Sequence, residues 1–186
     1  ATANFNPDLP NGAPISTTNL SGDAVIAKYN ASNGSYVWAK RLDNSRADFE
    51  GGGRLCTDNA GNAYHVSRRD VNTNDCILRK YASDGTAGFT RIIGDYNAGS
   101  YDITFGNNTL YVCGQNLEND DRPIQWYDTS GNPQGSAGAT NKLFNRITLD
   151  TGDGIYVGGN GPSSSILIEK YTPSSGTNPV WNKLFN

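Results

Sequence analysis

The chain has 186 residues, 35% of them hydrophobic and 18% charged, with 22 Gly, three Trp, three Cys, one His and no Met. That length suits one domain or a run of small repeats, while a net charge of −3 and a pI near 5.0 argue against the clustered basic surface that nucleic acid or an anionic membrane requires. Low charge with abundant Gly and 23 Asn is poor for helices and rich in turn formers, so the expectation is an all-β chain of many short strands.

In chain order, the first extended run is expected near Ala3–Phe5, then strands over Asp23–Tyr29 and Tyr36–Leu42 joined by the polar turn NASNGS. In DAVIAKY, Val25, Ala27 and Tyr29 alternate with Ala24, Ile26 and Lys28, and apolar residues occupy both faces, so both are expected to be covered. RLCTDNAGNAYHV follows as a hairpin with Asp58-Asn59-Ala60-Gly61 at its tip. DCILRKY, the turn ASDGT and AGFTRII repeat the earlier strand pair, and YDITFGNNTLYVCG repeats the hairpin around Asn107-Asn108. A third pair, RPIQWY and a degenerate PQGSAGA, is joined by DTSGN; a third hairpin, RITLDTGDGIYVGG, turns at Asp150–Gly154; and SILIEKY, TPSSGT and NPVWNKLF close the chain.

These runs form an internal repeat. The strand ending in tyrosine closes at Tyr29, Tyr81, Tyr127 and Tyr171, spaced by 52, 46 and 44 residues, and the hairpins align through Tyr64, Tyr111 and Tyr156, 47 and 45 apart. Four strands per period of about 45 residues is the pattern of a propeller blade, in which each sheet must bury its faces against its neighbours. The fold expected is an all-β propeller of four-stranded antiparallel blades, three full and one incomplete, with repeats over about 1–48, 49–95, 96–140 and 141–186. Trp38, Phe89 and Trp181 take equivalent places in the fourth strand, expected in the core between blades, and the lysines preceding the repeated tyrosines read as solvated strand edges. The first blade is short of its innermost strand, which leaves three readings: an excerpt of a longer propeller, a small ring with an incomplete blade, or a subunit completed by strands from another chain.

The segment GDAVIAKYNASNGSYVWAK resembles the bacterial beta-propeller repeat of the seven-bladed type, whose pattern runs D-A-x-[VI]-A-K-Y-[DN]-x-[NS]-G before W-[AS]-K. ANFNP is similar to the NFDP element that precedes it in that family, and CTDNAGNAYHV resembles the family's AVDxxGNxYVTG hairpin. The match is weakest at Gln134–Ala139, where the aromatic and lysine are absent. The resemblance implies a propeller of extracellular or cell-surface bacterial proteins, with no shared catalytic residues to transfer.

Catalytic patterns are scarce. His65 lies within the strand AYHVS, where it is expected to face a neighbour or solvent, and no G-x-S-x-G accompanies it. Gly51-Gly52-Gly53 lacks the Lys-Ser/Thr of a phosphate loop. Among carboxylates, Asp120 and Asp121 are adjacent, Asp58 and Asp150 head equivalent hairpins, and Asp23 and Asp75 begin equivalent strands; repetition by the fold marks turn caps rather than an acid/base pair. DTGDG and DNAGN lack the spacing of a calcium loop, so neither a metal nor a cofactor is expected. For ligands, Trp126, Tyr96, Tyr101 and Tyr36 sit near loops or strand ends beside amides and carboxylates, the usual equipment of a sugar site, and Trp126 is the outlier where other repeats carry Lys28, Lys80 and Lys170.

No apolar run is long enough for a membrane helix, and the start at Ala1 without Met or leader reads as a mature secreted chain or an excised fragment. Asn19, Asn30, Asn33 and Asn107 head Asn-x-Ser/Thr triplets, and Cys56, Cys76 and Cys113 lack metal spacing and allow at most one internal disulfide, reading best as buried apolar residues. The leading expectation is a non-catalytic extracellular propeller, a structural or adhesive module whose partners are other protein chains or its own copies, self-assembling through its incomplete blade. A lectin-like propeller that binds glycans is the alternative, and a glycan-processing hydrolase or lyase a distant third.

Overall fold

The computed structural model describes residues 2–4, 14–16, 25–42, 53–68, 75–95, 101–114, 122–140, 142–161, 163 and 165–185. Among the described residues, short alternating runs punctuated by Gly, Asn and Asp become sixteen strands. β1 (Thr2–Asn4) pairs with β2 (Pro14–Ser16), and β3 (Val25–Tyr29) with β4 (Tyr36–Arg41), the latter two forming the first sheet of the repeat. The second sheet is β5 (Arg54–Thr57), β6 (Ala63–Arg68), β7 (Asp75–Tyr81) and β8 (Ala87–Asp95). The third is β9 (Asp102–Gly106), β10 (Thr109–Cys113), β11 (Ile124–Tyr127) and β12 (Pro133–Ala137), and the fourth is β13 (Phe144–Leu149), β14 (Ile155–Asn160), β15 (Ile166–Tyr171) and β16 (Trp181–Phe185). All three four-stranded sheets are antiparallel meanders in sequence order.

The first extended run, Thr2–Asn4, pairs with Pro14–Ser16, nearby in the chain, where little loop entropy is lost on closure. Among the described residues β3 therefore has one neighbour, β4, and its other edge carries no strand.

The sheets stack face on face. Ile26, Trp38 and Leu42 of the first sheet and its end meet Ala63 and Tyr81 of the second. Tyr64, Val66, Cys76 and Leu78 of the second meet Tyr101, Ile103, Leu110 and Tyr127 of the third side. Tyr111, Cys113, Ile124 and Trp126 of the third meet Phe144, Ile155, Leu167 and Tyr171 of the fourth. We call the face of each sheet turned to the next its forward face and the opposite one its rear face. The first strands β5, β9 and β13 lie side by side, and Asp102 in β9 accepts the Ile147 amide of β13 at 3.1 Å, tying the third sheet to the fourth.

Hairpin tips are closed by their own carboxylates. Asp58 Oδ1 accepts the amides of Ala60 and Asn62 while Oδ2 accepts Asn62 Nδ2 and the Tyr64 hydroxyl. Asp128 and Asp150 make the same two-amide cap with Ser130 and Asn132, and with Gly152 and Gly154. Asn107 and Asn108 carry φ of 50° and 57°, the left-handed pair that a tight hairpin turn needs.

Candidate interaction site

The same joint is built at successive sheet contacts. The ring of Trp38 in β4 lies over Gly85 in the β7–β8 turn so closely that a Cβ there would sit 2.8 Å from the indole, and Gly85 has φ of +85°. Phe89 in β8 covers Gly131 of the β11–β12 turn, where a Cβ would meet the ring at 2.7 Å and φ is again +85°. Trp38 also packs on Tyr81, ring centroids 6.1 Å apart, and donates its indole N–H to the Ser83 carbonyl at 3.1 Å. The fourth-strand aromatic of one sheet is thus a knob, and the turn glycine of the next sheet its socket.

Lysine completes the joint, and here the expectation of solvated edges is corrected. Lys28 Nζ donates to the Ser83 carbonyl at 2.9 Å in the second sheet, and Lys80 Nζ to the Thr129 carbonyl at 2.9 Å in the third. Lys80 also lies over the Tyr64 ring, 5.3 Å from its centroid. A lysine can lay its aliphatic stem along apolar surface and bring only the ammonium to polar groups, so a half-buried sheet contact accommodates it.

The third sheet departs from this scheme in two compensating places. Gly135 stands where the other sheets have the knob, and Trp126 where they have lysine, and the two are directly cross-strand. A Cβ on Gly135 would lie 2.5 Å from the Trp126 ring, so the indole fills the space that the missing aromatic leaves. Trp126 is 8% exposed, packed on Tyr111 with centroids 6.2 Å apart, inside the core between the third and fourth sheets.

The two ends of the stack leave the joint half made. On the forward face of the fourth sheet, Trp181 is 43% exposed, resting on Tyr156 at 5.9 Å, and Lys170 folds back onto Asp150 of its own sheet at 3.0 Å. On the rear face of the first sheet, Tyr29 is 45% exposed, unlike its buried equivalents Tyr81, Tyr127 and Tyr171, and Gly34 (φ +69°) has no described atom within 4 Å of where a Cβ would be. Beside the open edge of β3 lies a cleft of about 370 Å³ lined by Ile26, Tyr29, Trp38, Leu55, Thr57 and Ala63. Leu55 is 57% exposed there, whereas the equivalent Ile103 and Ile147 are 5% and 7% exposed beneath the preceding sheet.

His65, expected to face a neighbour or solvent, is buried, and burial followed by the charge of Arg79 pushes its pKa down to about 4; its Nδ1 has no hydrogen-bond partner among the described residues. Burial raises the Asp58 carboxyl, but hydrogen bonds from Asn62, Tyr64 and Ala60 outweigh it and hold the group below the usual range. Burial, then Asp102 and Asp58, push the Cys56 thiol up to about 12, and the more buried Cys76 and Cys113 thiols are raised as well. All three are free thiols. Glu169, 1% exposed, is held by Lys142 Nζ at 2.6 and 2.8 Å and by the Tyr171 hydroxyl at 2.7 Å, and Gln125 accepts the Tyr127 hydroxyl in the same way one sheet earlier. Among the described residues no three His, Cys, Asp or Glu side chains group as metal ligands.

The residues expected to bind a ligand are not gathered at one place. Trp126 is in the core between the third and fourth sheets, Tyr101 is 5% exposed in the core between the second and third, and Tyr36 is half-buried against Tyr29 in the first sheet. Tyr96, Asp23, Asn19, Asp120 and Asp121 lie outside the described residues. Sequence reasoning missed the knob-and-socket joint, although its parts, the fourth-strand aromatics Trp38 and Phe89 and the turn glycines Gly85 and Gly131, were both visible. No protein-family model and no curated protein matches the chain.

Proposed function

We propose that this chain is a β-propeller, or a segment of one, acting outside the cell as a non-catalytic structural or adhesive module that assembles with other protein chains through its incomplete first sheet. The observation that carries the reading is the edge of β3 that, among the described residues, pairs with no strand, beside the exposed Leu55 and the cleft between the first and second sheets. A strand edge next to uncovered apolar surface is a template for strand addition, since main-chain pairing and side-chain burial are gained together. Stacked four-stranded sheets with adjacent first strands support the propeller reading.

Backbone amide exchange tests it. In dilute solution the amides of Val25–Tyr29 on the open edge should exchange faster than those of β7, which is paired on both sides, and should become protected as the chain associates. Edge amides as protected as those of β7 at every concentration would overturn strand addition at β3.

A further inference from the structure

The open ends of the stack are complementary halves of one joint. At the first-to-second junction the joint consists of Trp38 over Gly85, Trp38 against Tyr81, and Lys28 on a carbonyl of the Gly85 turn. The fourth sheet offers Trp181 in the place of Trp38 and Lys170 in the place of Lys28; the first sheet offers Gly34 in the place of Gly85 and Tyr29 in the place of Tyr81. The two aromatic–glycine pairs inside the stack, Trp38–Gly85 and Phe89–Gly131, are engaged, and Gly176, which follows the sheet that carries Gly135 in place of a knob, is open; at the ends Trp181 is 43% exposed, Tyr29 is 45% exposed and the space over Gly34 is open among the described residues. Among the described residues these two halves of the joint do not meet.

We propose that a second copy of the chain closes it head to tail, its first sheet seated on the forward face of the fourth sheet. Trp181 of one copy covers Gly34 and packs on Tyr29 of the next, and Lys170 leaves Asp150 to reach a carbonyl of the turn between β3 and β4. Ile166 and Phe185, paired across β15 and β16 on the same forward face and 61% and 47% exposed, extend the apolar area that the second copy buries. The interface continues the internal sheet stacking from one copy into another, and because its two sides differ it is heterologous, giving a ring or an open filament according to whether the rotation closes. This inference rests on the self-assembly reading above and names the partner and the face.

The test uses the 186-residue chain and two substitutions at exposed positions. Trp181→Ala removes the knob; Gly34→Asn places a side chain in the socket while keeping a residue that tolerates positive φ. Sedimentation velocity should show the wild-type chain assembling, each variant weakened in self-association by roughly tenfold or more, and an equimolar mixture of the two variants recovering a 1:1 complex through its single intact joint. Unchanged thermal melts would show that both variants remain folded. A wild-type chain that stays monomeric at all concentrations overturns this inference and the self-assembly reading together. If wild type and both variants assemble equally, with the edge amides of β3 protected, this inference alone fails.

Discussion

Replacing Trp126 should separate packing from ligand binding, because the two roles make opposite demands on the indole. Its ring is 8% exposed and occupies the space over Gly135, so Trp126→Ala leaves a cavity in the core between the third and fourth sheets and should destabilise the chain by about 3–5 kcal/mol. Gly135→Phe, which restores the aromatic found at that place in the second sheet, meets the indole head on and should also be destabilising, by at least about 1–3 kcal/mol. Making both changes in the repeat's own terms, Trp126→Lys with Gly135→Phe, rebuilds the arrangement of Lys80 and Phe89. The double variant should be more stable than the sum of the single effects allows, with a coupling of about 1–3 kcal/mol. Urea unfolding of wild type, Trp126→Lys, Gly135→Phe and the double variant, the four proteins of the cycle, gives that coupling. A Trp126→Ala loss below about 1 kcal/mol, or a coupling near zero, would refute the argument that these positions exchanged roles.

Three further outcomes follow from the same geometry. His65 has a folded pKa near 4 against an ordinary 6.5, so the unfolded chain binds the proton more readily and stability falls as pH drops from 6.5 to 4; the full loss is about 3 kcal/mol, and His65→Gln should flatten that part of a stability-against-pH curve measured by urea unfolding. Gly85→Ala must tolerate both a φ of +85° and the Trp38 ring, whereas Gly34→Ala meets only its φ of +69°, so the first should lower the thermal midpoint more than the second; equal shifts would count against the knob-and-socket contact. Asp58→Ala strips acceptors from two amides, Asn62 and Tyr64 and should destabilise by about 1 kcal/mol, while Asp84→Ala at an exposed tip, where the carboxylate accepts the Thr86 amide, should have a smaller effect in the same assay.

Much of the fold was legible because short strands carry local signals. DCILRKY became β7 at its full length, and Asn107-Asn108 took the left-handed turn that the hairpin pattern demanded. Even the degenerate PQGSAGA formed β12 over Pro133–Ala137, since its pairing with β11 supplies what its own composition lacks. The relation between sheets was harder to read. Alternation says that Lys28 and Lys80 point to one face, but not that the face meets a turn whose carbonyls they reach. The burial of His65 depends on neighbours that strand pattern does not name, and the rarity of Trp126 among the repeats suits packing as well as a ligand platform and does not reveal its contact with Gly135. Tyr29 and Trp181 were counted with the buried repeat aromatics, and their exposure follows from their places on the two outer faces of the stack.

The propeller reading has one direct measurement: electron microscopy of the assembled chain. If the chain is a propeller, the sheets of each particle should radiate from a common axis, with β5, β9 and β13 innermost and a fourth sheet facing a first sheet at every junction between copies. Particles in which the sheets stack in a straight line with no common axis, or in which copies meet through other faces, would contradict it.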